Sequence, residues 1–188
     1  MHYQEYLLRT TMQKYWYDTI YHIRMLIISK VNEIDDDADI LERLIINQEE
    51  IGAAIKFYYD KEIVTGFIKL LKDHIYITQD VIINTVDKNT EQLSEDKINL
   101  YKNTDDISSF LFEVNAHINN KLMKNLLIDY IEATEKMLNY RINSNYVYEF
   151  MMFDESLQYA LTISDMISNS IIEEFPDKFS SNRLDALM

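Results

Sequence analysis

Two glycines and one proline in 188 residues leave this chain almost nothing with which to turn short strands or close tight loops. Ordinary usage is about 7% glycine and 5% proline, and β-hairpins, sandwiches and α/β units all need such residues at their turns. The predicted fold class is therefore all-α. An apolar fraction of 47% is ample for one hydrophobic core, and the length corresponds to a single domain.

Apolar residues recur at steps of three and four along most of the chain, the signature of amphipathic helices. In the first such run, Met12, Trp16, Ile20, Ile23, Ile27 and Val31 share a face. The pattern predicts about six helices, over residues 3–32, 37–58, 61–86, 94–114, 121–143 and 146–175, in a single-domain bundle with four long core helices. Asp35-Asp36-Asp37-Ala38-Asp39 reads as helix-capping sequence, since aspartate suits the positive start of a helix and no glycine shapes a calcium loop. Asp60 is expected to cap the third helix. Pro176 is expected to stop the last helix. Residues 1–176 would then form the bundle and 177–188 a flexible tail, too poor in apolar surface to order alone.

An internal repeat organises these helices. Leu44-x-x-Asn47-x-x-Glu50-Ile51 matches Leu100-x-x-Asn103-x-x-Asp106-Ile107 at an offset of 56 residues. Leu70-Leu71-Lys72-Asp73-His74-Ile75 matches Leu126-Leu127-Ile128-Asp129-Tyr130-Ile131 at the same offset of 56. The second and third helices thus read as one copy of a helical pair, and the fourth and fifth as another. Asp18-Thr19-Ile20 extends the register to the first helix, Thr19 lying 55 residues before His74. Related helices place related residues at one depth, so Thr19, His74 and Tyr130 are expected at a single level of the bundle. Tyr159 on the last helix is expected to join them, giving an axial polar cluster that is the candidate ligand-binding site. His74 reads either as a hydrogen-bonded core residue or as a ligand, and a network with the hydroxyls of Thr19, Tyr130 and Tyr159 would satisfy itself without an ion. Arg24, Asn47, Asn103 and Asp165 lie on or beside core stripes and are candidate structural polar residues. Arg24 and Asp165 are expected either to pair or to reach solvent along their stems.

The order and spacing of Trp16, Arg24, Arg43-Leu44, Asn47, Tyr59, Leu70-Leu71 with His74, Asn103 with Ile107, Asn115, Ser164-Asp165 with Ile171 and Phe175-Pro176 resemble an uncharacterised family of helical proteins. That family is known from Gram-positive bacteria and, in divergent form, from large DNA viruses. The resemblance implies a helical fold over nearly the whole chain. In the bacterial pattern histidines stand where this chain has Thr19, His74, Tyr130 and Tyr159, which implies a metal or small-ligand site there. This chain keeps only His74 of the four, and no metal is assigned to it.

The formal charge of −14 argues against nucleic acid and anionic membrane surfaces as partners, since both select for lysine and arginine clusters. No cysteine is available for disulfides or thiolate metal sites. No apolar run approaches a membrane span, and the start Met1-His2-Tyr3-Gln4-Glu5 lacks the regions of a signal peptide, so a soluble, cytoplasmic protein is expected. Glu-x-x-His, His-Glu-x-x-His, phosphate-binding glycine loops and Gly-x-Ser-x-Gly are all missing, so no catalytic residue and no cofactor is assigned. The aromatic side chains Tyr15, Tyr17, Tyr21, Phe57, Tyr58, Tyr59, Tyr146 and Tyr148 fall on faces expected to be half buried. The favoured expectation is a non-enzymatic bundle acting through protein contacts, as a homodimer or with a protein partner. The alternative is a bundle holding a small ligand or metal at the axial polar site around His74.

Overall fold

The computed structural model describes residues 2–180. They form an all-α, single-domain bundle of six long helices, α1 (Tyr3–Val31), α2 (Asp37–Ile55), α3 (Lys61–Val86), α4 (Thr90–Val114), α5 (Asn120–Ile142) and α6 (Tyr146–Glu174), closed by a single turn, α7 (Pro176–Phe179). Among the described residues there is no strand. No helix among them is long and apolar enough to cross a membrane.

Helix starts follow local chemistry. Asp60 caps α3 as expected, its carboxylate accepting the Ile63 amide at 3.0 Å, and Asn119 does the same for Leu122 at the start of α5, also at 3.0 Å. Asp36 precedes α2, but its carboxylate is taken by the Ser29 hydroxyl instead of the helix amides. α4 begins at Thr90, earlier than the expected 94, because Thr90, Glu91 and Gln92 form a water-facing turn with no apolar stripe to announce it. α2 closes at Ile55 rather than 58. The expected tail boundary also moves: Asp177–Phe179 lie within α7, and Phe179 is 2% exposed, stacked on Tyr58 with ring centroids 5.3 Å apart. Residues 181–188 lie outside the described residues.

Helix ends reveal the repeat most clearly. Glu33, Lys88 and Ser144 have φ of 54°, 59° and 55°, each just beyond α1, α3 or α5. The amides of Ile34, Asn89 and Asn145 reach back to the carbonyls of Ser29, Asn84 and Tyr140 at 2.9, 3.0 and 2.9 Å, the six-to-one bond of a Schellman ending. Three related chain reversals therefore join α1 to α2, α3 to α4 and α5 to α6. The offset of 56 read between α2–α3 and α4–α5 is thus phased one helix earlier, and the unit is a helical hairpin present in three copies.

The hairpins close into a ring. Each helix packs on its sequence neighbours, α6 packs back on α1, and α1 also touches α3 and α5. Gln13 on α1 donates to Asp165 on α6 at 2.8 Å and Arg24 on α1 to Glu149 on α6 at 2.8 Å, so these two helices run antiparallel. Buried residues sit at matching positions in the three copies: Met12, Phe67 and Met123; Trp16, Leu71 and Leu127; Ile20, Ile75 and Ile131; Ile27, Ile82 and Leu138. In the even helices Ile51, Ile107 and Ile163 match in the same way, next to the small residues Gly52, Ser108 and Ser164. A β-carbon at Gly52 would lie 2.2 Å from Cγ1 of Ile68, so any larger residue there would have to displace the Ile68 side chain that packs α3 on α2. At the far end Asn115 donates to the Tyr59 hydroxyl and the Ser170 carbonyl, both at 2.9 Å, tying all three hairpins together.

Candidate functional site: the axial polar layer and the α1/α6 face

Thr19, His74 and Tyr130 occupy the same position in α1, α3 and α5, and all three are buried. Each is held differently. Asn47 donates its amide to the Tyr15 carbonyl at 3.1 Å, which turns its Oδ1 toward Thr19, whose hydroxyl donates to it at 2.5 Å. Gln48 adds a donor to the Leu44 carbonyl at 3.1 Å and to Asn47 Oδ1 at 3.2 Å. One hairpin later Asn103 donates to the Leu70 carbonyl at 3.1 Å, which fixes its Oδ1 as the acceptor 2.8 Å from His74 Nδ1. The proton of the neutral ring therefore sits on Nδ1, and Nε2 carries the lone pair. Burial pushes the His74 imidazole down to about 4, with the Asn103 hydrogen bond opposing the shift.

His74 and Tyr130 meet, their ring centroids 5.8 Å apart and tilted by 33°. Burial raises the Tyr130 phenol well above the ordinary tyrosine range, so it stays protonated. Tyr159 does not join them. It occupies the position of Asn47 and Asn103 in the third hairpin but is only half buried, and its hydroxyl donates to Glu155 on its own helix at 2.9 Å. That carboxylate is the main reason the Tyr159 phenol is raised to about 12. A tyrosine is too long to fold back onto a neighbouring carbonyl as asparagine does, so the third hairpin lacks the cross-helix bond of the other two. Thr19 is bonded within its own hairpin, to Asn47 and Gln48.

Below the His74 level a cavity of about 10 Å³ opens between α3, α4 and α5, lined by Thr78, Tyr130, Thr134 and Glu135 and by apolar walls such as Leu100 and Leu138. Thr78 Oγ1, Tyr130 OH and Glu135 Oε1 are buried beside it without a hydrogen-bond partner, as is the nearby His74 Nε2. Space of that size admits one water molecule and nothing larger. Among the described residues no group of three or more His, Asp or Glu side chains could hold a metal ion.

The structural polar residues resolve into separate pairs. Asn47 and Asn103 brace the odd helices through the Tyr15 and Leu70 carbonyls. Arg24 and Asp165 do not pair with each other: Asp165 accepts from Gln13, and Arg24 bonds Glu149. Glu149 is fully buried and also bonds Arg141 of α5 at 3.3 Å, so one carboxylate clamps α1, α5 and α6 together. Glu149, Phe153, Ser156 and Ala160 share the inner stripe of α6, a spacing that marks Glu149 as inward-facing in the sequence itself. Both guanidiniums lie on aromatic rings, Arg24 4.6 Å from the Phe150 centroid and Arg141 5.0 Å from that of Tyr146.

Over this clamp lies an apolar strip. Tyr21 packs edge-on against Phe153 at 5.2 Å while staying half exposed. Beside it Met25 on α1 and Val147, Phe150 and Met151 on α6 are exposed, Val147 by 71%. The aromatic residues expected on half-buried faces divide: Tyr21, Phe57, Tyr146 and Tyr148 are exposed, whereas Tyr15, Tyr17, Tyr58 and Tyr59 pack against the core. Comparison of the chain with protein-family models, curated proteins and solved structures finds no match.

Proposed function

We propose that this protein is a non-enzymatic bundle that acts through protein contacts, two copies meeting across the α1/α6 face. The observation that carries this reading is the strip Tyr21, Met25, Val147, Phe150 and Met151, which leaves large apolar side chains in water side by side on two packed helices. Charge favours a second copy as the occupant. The chain carries 32 acidic against 18 basic residues, so two copies repel over most of their surfaces. Under the strip, however, the buried charges are two arginines and one glutamate, and at its margins Asp154 is exposed while Asp18 is paired with Lys14. Two such faces come together with less repulsion than any strongly acidic pair. Sedimentation velocity over a concentration series tests this: association in the micromolar range is expected, strengthened by added salt, and Phe150→Glu with Met151→Glu abolishes it without lowering helicity. A monomer at every concentration and salt level overturns it.

A second reading, a single metal ion at the axial polar site around His74, is supported by the unpartnered His74 Nε2, Tyr130 OH, Thr78 Oγ1 and Glu135 Oε1 atoms, the adjoining space of about 10 Å³ leaving no room for a larger ligand. Elemental analysis of the purified protein, with His74→Ala as control, and melting under added Zn²⁺ decide the metal version. Metal-free protein with unchanged melting retires it.

A further inference from the structure

Asparagine satisfies two of the three residues in the axial layer. Thr19 donates to Asn47 and His74 to Asn103, each bonded by the even helix of its own hairpin. Tyr130 has no such partner, because Tyr159 takes the asparagine position and its hydroxyl turns to Glu155. Tyr130 is 4% exposed, and a phenol hydroxyl buried to that degree normally finds a hydrogen-bond partner.

Polar atoms for it lie one turn further on. Thr78 follows His74 by four residues on α3, and Thr134 follows Tyr130 by four on α5, the same step in two copies of the repeat. The matching position on α1 is Ile23, so this second polar tier belongs to α3 and α5 alone among the odd helices. The buried threonines Thr19, Thr104 and Thr134 each bond the carbonyl four residues back, Thr134 that of Tyr130 at 2.9 Å. Thr78 does not, and its Oγ1 is left on the cavity wall without a partner. Glu135 completes the set. Its Oε2 accepts from Lys97 of α4 at 2.6 Å, while Oε1 is buried and unpartnered. Three unpartnered oxygens, from α3 and α5, therefore border the same space of about 10 Å³.

Their chemistry is complementary to one water molecule. The Tyr130 phenol is protonated and donates, Thr78 can donate as well, and Glu135 Oε1 only accepts. The two hydroxyls fill both lone pairs of a water oxygen, which returns a proton to Glu135, giving the three hydrogen bonds usual for an internal water. Lys97 already balances the Glu135 charge, so a neutral occupant sits between the apolar walls of Leu100 and Leu138 without an unpaired charge.

We infer that the metal-free protein holds one structural water in this cavity, bonded to Tyr130 OH, Thr78 Oγ1 and Glu135 Oε1. This water serves the layer residue of the third hairpin as Asn47 and Asn103 serve those of the first two. It joins α3 to α5 and, through the Glu135–Lys97 pair, both to α4. The site depends neither on contact between copies nor on an ion at His74.

A high-resolution crystal structure of the full chain, stripped of metal with a chelator, tests this. One solvent peak is expected at about 2.6–3.2 Å from all three oxygens, without anomalous signal. No peak between them, or a peak with the anomalous signal of a metal, overturns the assignment. Magnetic relaxation dispersion of the water resonance, which counts long-lived internal waters, gives a second readout in solution. Thr78→Val and Tyr130→Phe are each expected to lose the contribution of one such water with far-ultraviolet circular dichroism unchanged. An undiminished contribution in either folded variant contradicts the assignment. The ion at His74 is judged separately by elemental analysis, so its failure leaves this water site standing.

Discussion

Asn103 stands to His74 as Asn47 stands to Thr19: each asparagine donates to a carbonyl on the preceding odd helix and accepts from the polar side chain one turn further on. The two asparagines are 56 residues apart and both buried, so each of the first two hairpins is pinned by one side chain that uses its donor and acceptor ends at once.

Asn103→Leu removes that pin and leaves the His74 Nδ1 proton buried without a partner, while the Leu70 carbonyl keeps its bond within α3. The orphaned group costs about 1–3 kcal/mol, so thermal unfolding is expected roughly 2–12 °C lower for a chain of this length. Asn47→Leu should act in the same direction, and melting curves by circular dichroism check both.

His74 gives the fold a pH dependence of known sign. Its imidazole sits near 4 in the folded protein, against an unfolded value of about 6.5. Between those values the unfolded chain takes up a proton that the folded one refuses, so stability falls as pH drops through this window. At most roughly 3 kcal/mol is lost by pH 4, and the contribution is fully present at pH 7. Chemical denaturation at a series of pH values should show this slope and His74→Gln should flatten it. The imidazole resonances should not titrate between pH 5 and 8 in the native state.

The three left-handed residues that end α1, α3 and α5 are glutamate, lysine and serine, where glycine would be unstrained. Lys88→Gly is expected to stabilise the protein by about 1 kcal/mol, raising the midpoint by about 2–4 °C. Calorimetry checks this, and Glu33→Gly should behave alike.

The same residues show how much of the architecture was legible in the sequence. Scarce glycine and proline, with apolar steps of three and four, are enough for an all-α fold and for six helices with inward faces. The offset of 56 exposes a repeat but not its phase, because a repeat looks the same in sequence wherever its unit is cut. The three matching helix endings after α1, α3 and α5, with the bonds from Asn47 to Tyr15 and from Asn103 to Leu70, set the unit as a hairpin. The third hairpin was hard to read because Tyr159 replaces the asparagine and turns to Glu155. Register predicts that a residue faces inward, as for His74 and Tyr130, but not which atoms are left to pair.

Glu149 was legible in position and opaque in role. Glu149→Ala leaves Arg24 and Arg141 facing each other's charge with no carboxylate between them, both more than four-fifths buried. Breaking a buried pair of this kind costs about 3–5 kcal/mol, and Glu149→Gln should recover part of it by keeping acceptor geometry. Equilibrium unfolding in urea separates the two variants.

The claim on which the functional account stands is that copies meet through the α1/α6 face. Absence of cysteine allows one spin label at a time, at Asp154 beside the strip or at Ile98 on α4, across the ring from it. Double electron–electron resonance on Asp154→Cys is predicted to give a short, well-defined distance between copies, and Ile98→Cys a longer one. A shorter distance at Ile98, or no dipolar coupling at either site, would contradict the account.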